Sequence, residues 1–317
     1  MARTRILYRL TVGRPLTINR DLFVPFRNEG LAAINLENFY NTSDPEAYQL
    51  ENHQVRFSIK MSSLTQKSNS GKFTIANLDD DFVNYLIANR DNNLAFIFEA
   101  GDNDQGIREV FKGTVTNVRD DFTTETRLTD ITVTDGSVNT KNAYTVKSFA
   151  RGTPFSTVIE SLVDDLKLPV ESLPPLQGAT LAPTSYNGPT VKVLQEELNK
   201  LGYTFSIQNQ NVSILGKNER KPIQASLITQ DTGLIGKIQR FTSDEKASVN
   251  RASQMAEGVS FICLLDAALR PDETVYLRDD DIDGPYKLID VNFEGDFEGG
   301  EWLCMCRAVV AEGITSA

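Results

Sequence analysis

Apolar and polar residues alternate along most of this chain. In VRFSIKM, Val55, Phe57, Ile59 and Met61 alternate with Arg56, Ser58 and Lys60. That two-residue period belongs to a strand with one buried face. LAFIFEA, EVFKGTVTNV and LTDITVTD follow at short spacing, parted by polar turns such as GDNDQG and RDDFTTET. One short stretch changes period. Leu78, Phe82, Tyr85 and Leu86 are spaced for an amphipathic helix, and Asp79–Asp81 stand near its start, where the helix dipole favours acids. Residues 23–52, with Pro25, Gly30 and Pro45, have a mixed pattern and read as an extended arm.

From about residue 146 the period becomes helical. Thr153 is an N-cap candidate and Pro154 a suitable first helical residue. Phe155, Val158, Ile159, Leu162 and Leu166 then form one apolar stripe. A proline-rich loop leads to a second helix carrying Val191, Leu194, Leu198 and Leu201, which should stop at Gly202. Tyr203–Gln208 and Val212–Leu215 read as a hairpin turning at Asn209–Gln210. Alternation returns from about residue 220. The pattern therefore predicts a mainly β protein with an α+β insert: an N-terminal antiparallel β-barrel over 1–145 with its arm, a small α/β module over 146–218, and a C-terminal β-barrel over 219–317.

The two β regions echo one another. Without gaps, Phe111 falls on Tyr286, Lys112 on Lys287, Asn117 on Asn292, Asp121–Phe122 on Asp296–Phe297, and Leu128 on Leu303, while Val115 against Asp290 breaks the match. Two readings stand: a repeated barrel, or a chance likeness between two antiparallel strand pairs.

Composition narrows the function. With 317 residues, 40% hydrophobic and 24% charged, the chain has material for two or three packed domains. A formal net charge of −11 disfavours tight binding to a phosphate backbone, yet suits a wall past which a polyanion slides without sticking. The single histidine, His53, lowers the prospect of acid–base catalysis and reads as structural. Cys263, Cys304 and Cys306 are too few and too odd in number for a disulfide framework; Cys304 and Cys306 share a strand face and read as buried thiols. No signal peptide and no membrane segment are expected.

Candidate chemistry is sparse. Asp279, Asp281, Asp283, Gly284 and Asp290 match the spacing of a calcium loop. Strand-like flanks, an aspartate at the twelfth position and Lys287 at the ninth favour an acidic hairpin, so no metal and no cofactor are assigned. The acid clusters at 79–81, 120–121 and 164–165 read as solvated faces rather than catalytic pairs. A single Asp-Thr-Gly at 231–233 lacks the second copy that an aspartic protease needs within a chain. No catalytic residue is assigned, and the chain is read as a non-enzyme.

The last third carries a resemblance. DTGLIG (Asp231, Thr232, Gly233, Leu234, Ile235, Gly236) is followed by Leu264, Leu265, Leu269 and Pro271, then by Gly284 and Tyr286, and last by Gly295, Asp296, Gly299 and Trp302. In this order the segments resemble the baseplate hub proteins of contractile phage tails, also called the late-control protein D or tail hub family, which is related to the hub part of type VI secretion spikes. GTVTNV with LTDITVTDG resembles the hub's first barrel, and KSFARGTPFSTVIESLVDDLKLPV its middle module. Departures occur at Pro271–Asp272 and around Phe293–Glu294.

The resemblance implies a homotrimer of two-barrel chains, a ring of six similar barrels joining a sixfold tail tube to a threefold spike around a channel for DNA. Its implied partners are the tail spike protein, the tail tube or distal tube-initiator protein, other baseplate proteins, and passing DNA without specific binding. Its implied location is the virion tail baseplate, after assembly in the host bacterial cytoplasm. Asp231, Gly233, Leu234, Ile235, Gly236, Gly295, Asp296 and Trp302 become candidate subunit contacts. A bulky residue at Gly233 or Gly236 should then block the ring. The alternatives are the hub of a related contractile injection system, such as an R-type bacteriocin or a type VI secretion-like machine, and a peptidoglycan-cleaving tail enzyme.

Overall fold

The computed structural model describes residues 6–13, 47–63, 68–89, 92–102, 106–122, 126–216, 226–242, 257–296 and 302–310. Most of the arm expected at 23–52 lies outside them.

The first β lobe holds β1 (Ile6–Gly13), β2 (Ala47–Leu50), β3 (Val55–Ser62), β4 (Ser70–Ala76), α1 (Asp80–Ala88), β5 (Ala95–Asp102), β6 (Gly106–Asp121) and β7 (Leu128–Thr134). Alternation dictates the strands: Val55, Phe57, Ile59 and Met61 of β3 are all buried. In α1, Phe82, Val83 and Leu86 face the core. Asp80 in its first turn pairs with Arg127, which also binds Asp120 at 2.8 Å. That clamp ties the helix start to the tip of the β6–β7 hairpin.

The α+β insert follows as α2 (Ser137–Asn142), β8 (Tyr144–Phe149), α3 (Phe155–Leu166), β9 (Val170–Ser172), β10 (Thr184–Pro189), α4 (Thr190–Leu201), β11 (Tyr203–Gln208) and β12 (Asn211–Gly216). Helix α3 begins one residue later than its sequence suggested, with Pro154 itself at the cap position. Helix α4 ends where expected, at Gly202 with φ +79°. The apolar stripes of α3 and α4 meet Phe205, Val212 and Ile214 in a core separate from that of the β lobes. Asn209 and Gln210 both have positive φ, which closes the two-residue turn between β11 and β12.

The second β lobe holds β13 (Ser226–Ile228), β14 (Leu234–Thr242), β15 (Glu257–Leu264), β16 (Thr274–Arg278), β17 (Asp283–Asp296) and β18 (Leu303–Val310). Both lobes belong to one thirteen-stranded sheet, ordered β14-β15-β18-β17-β3-β4-β7-β6-β5-β1-β2, with β16 beside β17 and β13 beside β16. Only β13–β16 is parallel in this sheet. The protein is thus mainly β with an α+β insert, as the pattern predicts. The lobes are less separate than two free-standing barrels. One continuous core runs beneath both, and hydrogen bonds close neither lobe into a ring among the described residues.

Strand order reveals the repeat. The first lobe reads β3-β4-β7-β6-β5 and the second β14-β15-β18-β17-β16, with every pair antiparallel. The long strands β6 and β17 each carry a register shift opposite their hairpin partner, after Val115 and after Leu288. Aligning those shifts sets Val115 on Leu288 and Val133 on Ala308, all buried. Buried positions then match across the other strands: Phe73 with Phe261, Ile75 with Cys263, Phe96 with Val275 and Phe98 with Leu277. The ungapped echo is correct for β7 and β18, where Leu128 meets Leu303. It runs two residues out on β6 and β17, which is why Val115 falls on Asp290 there.

A candidate assembly surface

The lobes join where β17 meets β3, from Asp290 opposite Ser62 to Asp296 opposite Arg56. Arg56 Nε lies 3.0 Å from Asp296 Oδ2. Gly295 sits beneath two aromatic rings: a Cβ there would come within 2.8 Å of both Phe57 and Trp302. Trp302 is 3% exposed, and its Nε1 donates to the Asp296 carbonyl at 3.0 Å. Its ring meets Phe57 edge-on at 4.8 Å between centroids. Gly295, Asp296 and Trp302 therefore come together, but as the inner seam of one chain. The Trp302 side chain is enclosed within this chain.

Asp231–Gly236 occupies the opposite edge of the second lobe. Asp231 is exposed in a single 3-10 turn (Gln230–Thr232) capped by Thr229. Gly233 and Gly236 have φ of +108° and +73°, a region that favours glycine. Leu234 points into the core, while Ile235 is half-buried on the outer face. There Ile235 stands opposite Ile262, Ile262 opposite Met305, and Leu264 opposite Leu303. Ile262 and Leu264 are 39% and 50% exposed. At the positions equivalent to Ile235, Ile262 and Met305 the first lobe carries Arg56, Thr74 and Asp130, and Thr74 donates to Asp130 at 2.6 Å, while Leu264 and Leu303 match Ala76 and Leu128. The apolar outer face is thus broader on the second lobe than on the first.

The acidic hairpin does not gather its carboxylates. Asp279 Oδ1 accepts from the backbone N–H groups of Asp281 and Ile282 at 2.9 and 2.8 Å, and its Oδ2 from Ile238 at 3.1 Å. Burial pushes the Asp279 carboxyl up, but these bonds outweigh it and hold it below the ordinary carboxylate range. Asp283 pairs with Arg278 at 3.2 Å and Asp290 with Arg307 at 3.3 Å. Asp281 is exposed. The calcium-like spacing is the signature of a side-chain-braced turn between β16 and β17.

No pattern along the chain signals how the insert docks. The tip of β11–β12 plugs into a polar socket that both lobes build. Asn69 Nδ2 donates to the Ile207 carbonyl at 2.9 Å and to Gln208 Oε1 at 2.8 Å, while its Oδ1 accepts from the Ser62 N–H at 2.8 Å. Gln208 Nε2 donates to the Ser62 carbonyl at 2.8 Å, and Asn209 Nδ2 to Glu109 Oε1 at 2.8 Å. The Gln210 N–H donates to Asp135 Oδ1 at 2.6 Å. From the second lobe, Asp272 accepts from the Ser206 hydroxyl at 2.6 Å and pairs with Lys287 at 3.1 Å. Burial pushes the Asp135 carboxyl up to about 7, against the hydrogen bonds it accepts. The paired turn residues Asn209–Gln210 were the available signal, but they read equally well as a solvated turn.

The remaining titratable candidates are structural in place. Cys263, Cys304 and Cys306 are buried thiols, and burial pushes Cys304 well up. His53 lends its carbonyl to the Tyr8 hydroxyl. Among the described residues no group of three or more metal-binding side chains converges, and no helix is long and apolar enough to cross a membrane.

No protein-family model matches this chain, and no curated protein matches it in sequence. Solved structures do match its shape. The 43 kDa tail protein of prophage MuSo2 from Shewanella oneidensis aligns with a TM-score of 0.58 at 11% identity, over 83% of this chain and 95% of that one. The fold is that of phage tail proteins. The tail protein from Neisseria meningitidis MC58 aligns with a TM-score of 0.54 at 10% identity, over 81% of this chain and 95% of its own. The E. coli c3393 protein, a component of the type VI secretion system with structural similarity to T4 bacteriophage tail proteins gp27 and gp5, aligns at 0.54 with 8% identity, over 83% of this chain and 76% of its own. At these identities the likeness establishes architecture only.

Proposed function

We propose that this chain is the structural hub of a phage tail baseplate. Three copies form a pseudo-sixfold ring that joins the sixfold tube to the threefold spike and encloses a channel for DNA. The observation that carries the reading is the repeat itself: two lobes with the same strand order and register, joined edge to edge. A chain with two alike units can present six similar surfaces as a trimer and still differ between its halves. The broader apolar outer face of the second lobe is such a difference, and it would recur three times around the ring. The functional units are taken as 1–145, 146–218 and 219–317. The role is mechanical, with no catalytic residue and no cofactor, in the virion tail after assembly in the host cytoplasm.

Native mass spectrometry of the purified chain, alone and with its spike and tube partners, tests this. Three copies in the complex are expected. A single copy in the presence of both partners would contradict the reading. The likeness to a type VI secretion component supports a second version, in which the same ring serves a secretion machine or bacteriocin. The genes beside this one, for a capsid or for a secretion sheath without one, separate the two.

A further inference from the structure

The insert meets the two lobes through polar groups. Its apolar core is separate from theirs, so its docking rests mainly on the hydrogen bonds at the β11–β12 tip. Asp135 stands at the centre of that contact. It is 3% exposed and lies between the end of β7 and the start of α2, where the chain leaves the first lobe. Its backbone N–H donates to the Asn69 carbonyl at 2.9 Å, and its carboxyl accepts from the Gln210 N–H of the hairpin tip. Asn69 Nδ2 has two hydrogens and faces three oxygens: Gln208 Oε1 at 2.8 Å, the Ile207 carbonyl at 2.9 Å and Asp135 Oδ2 at 3.2 Å. One oxygen must do without, and Asp135 Oδ2 is the farthest. A proton on the Asp135 carboxyl relieves that shortage and leaves no charge to bury.

The charged groups around the carboxyl do little to neutralise it. The hairpin tip, from Ser206 to Asn211, carries no charged side chain. On β6, Glu109 accepts from Asn209 Nδ2 and acts on Asp135 as a like charge, while Lys112 gives its backbone N–H to Asn209 Oδ1 at 3.3 Å. From the second lobe come Asp272, paired with Lys287 at 3.1 Å, and Arg270, whose guanidinium donates to the carbonyls of Leu269 and Glu109. Lys141 of α2 is exposed. Burial therefore prevails over the hydrogen bonds the carboxyl accepts and pushes it up to about 7. The next residue, Gly136, has φ +62°, and a Cβ there would come within 2.9 Å of Ile207, so the chain enters the insert on a glycine pressed against the same hairpin. We propose that the insert is latched to the lobes by a proton on Asp135: acid holds the hairpin tip in its socket and loss of the proton releases it, with the turn at Gly136 as the pivot. The latch belongs to the single chain and does not depend on the ring. Once undocked, the carboxyl meets water and returns to the ordinary aspartate range, so undocking releases a proton wherever the docked form keeps one. The undocking equilibrium then rises about tenfold per pH unit between ~4 and ~7 and levels off above.

Amide exchange on the full chain reads the latch. The Gln210 amide, which donates to Asp135, is compared at each pH with amides of α4, whose Leu194 and Leu198 lie in the insert's own core. The ratio of the two rates cancels the effect of pH on intrinsic exchange, which both share. In the unaltered protein it should climb about tenfold per unit from pH 5 to pH 7 and then flatten. Asp135→Asn is neutral throughout and should hold the ratio level over the same range. Glu109→Gln removes the like charge and should bring the flattening to a lower pH. A ratio that ignores pH in the unaltered protein overturns the latch, whether or not the variants fold. A climb that survives in Asp135→Asn overturns it as well. Amides of β3 and β4 that climb in step with Gln210 would mean that the whole fold opens, and would overturn a local release.

Discussion

Two glycines of the candidate surface do opposite work. Gly236 holds a left-handed backbone with open space about it, whereas Gly295 is an ordinary strand residue that leaves room for Phe57 and Trp302. Gly236→Asn keeps a residue that tolerates positive φ, so the fold should lose less than about 1 kcal/mol. Gly295→Val forces rings apart and should cost ~1–3 kcal/mol or more by overpacking. Urea unfolding of both variants checks the contrast, and equal losses would refute the inner seam at Gly295. Asp135 supplies a pH signature. Its folded value of about 7 stands above the unfolded aspartate value of 3.8, so the native state holds more protons between them. Its contribution is complete below pH ~4 and is lost as pH rises through ~7, on the order of 4 kcal/mol. Asp135→Asn should flatten that decline in a series of melting curves. An unchanged slope would place the proton elsewhere.

At the scale of elements, periodicity made the strands and helices legible. β3, α1, α3, α4 and the β11–β12 hairpin all stand where alternation or a 3.6-residue stripe put them. The repeat was half legible, because β7 and β18 align without a gap while β6 and β17 are offset by two residues. A shift of two keeps strand parity, so inward residues still fall on inward residues and the error is silent to pattern alone. The packing of Trp302 on Phe57 was not legible for a related reason: a glycine-and-tryptophan motif looks the same whether its cleft lies within a chain or between chains. The docking of the insert was not legible. A polar hairpin tip reads as solvated, and only the fold supplies the Asn69, Asp135 and Gln208 socket. Asn69→Ala should leave several of those buried groups unpaired and cost ~1–3 kcal/mol, with faster amide exchange at β11–β12. Unaltered exchange would mean the socket does not hold the insert. The acidic hairpin gives the complementary expectation. With its carboxylates committed to backbone and arginines, millimolar calcium should leave the melting temperature unchanged, and a saturable rise would show a real site.

For the whole molecule, the decisive feature is one sheet that contains the same five-strand unit twice. That arrangement gives the chain an internal seam between its two alike units. A net charge of −11 disfavours tight binding to DNA, as the proposed channel requires. Increasing salt should therefore change little in mixing experiments with DNA, since there is no binding to weaken. The architecture as a β-rich protein with an insert was readable from the chain, and the proposed hub role rests on the order of motifs in its last third. What sequence could not supply was the joining of the lobes, because pairing between β17 and β3 depends on residues more than two hundred positions apart. The most direct measurement is electron microscopy of the assembled complex viewed along its axis. Six alike lobes around an open centre, repeating exactly three times per turn, are predicted. A particle with any other number of lobes, or with no central opening, would contradict the ring.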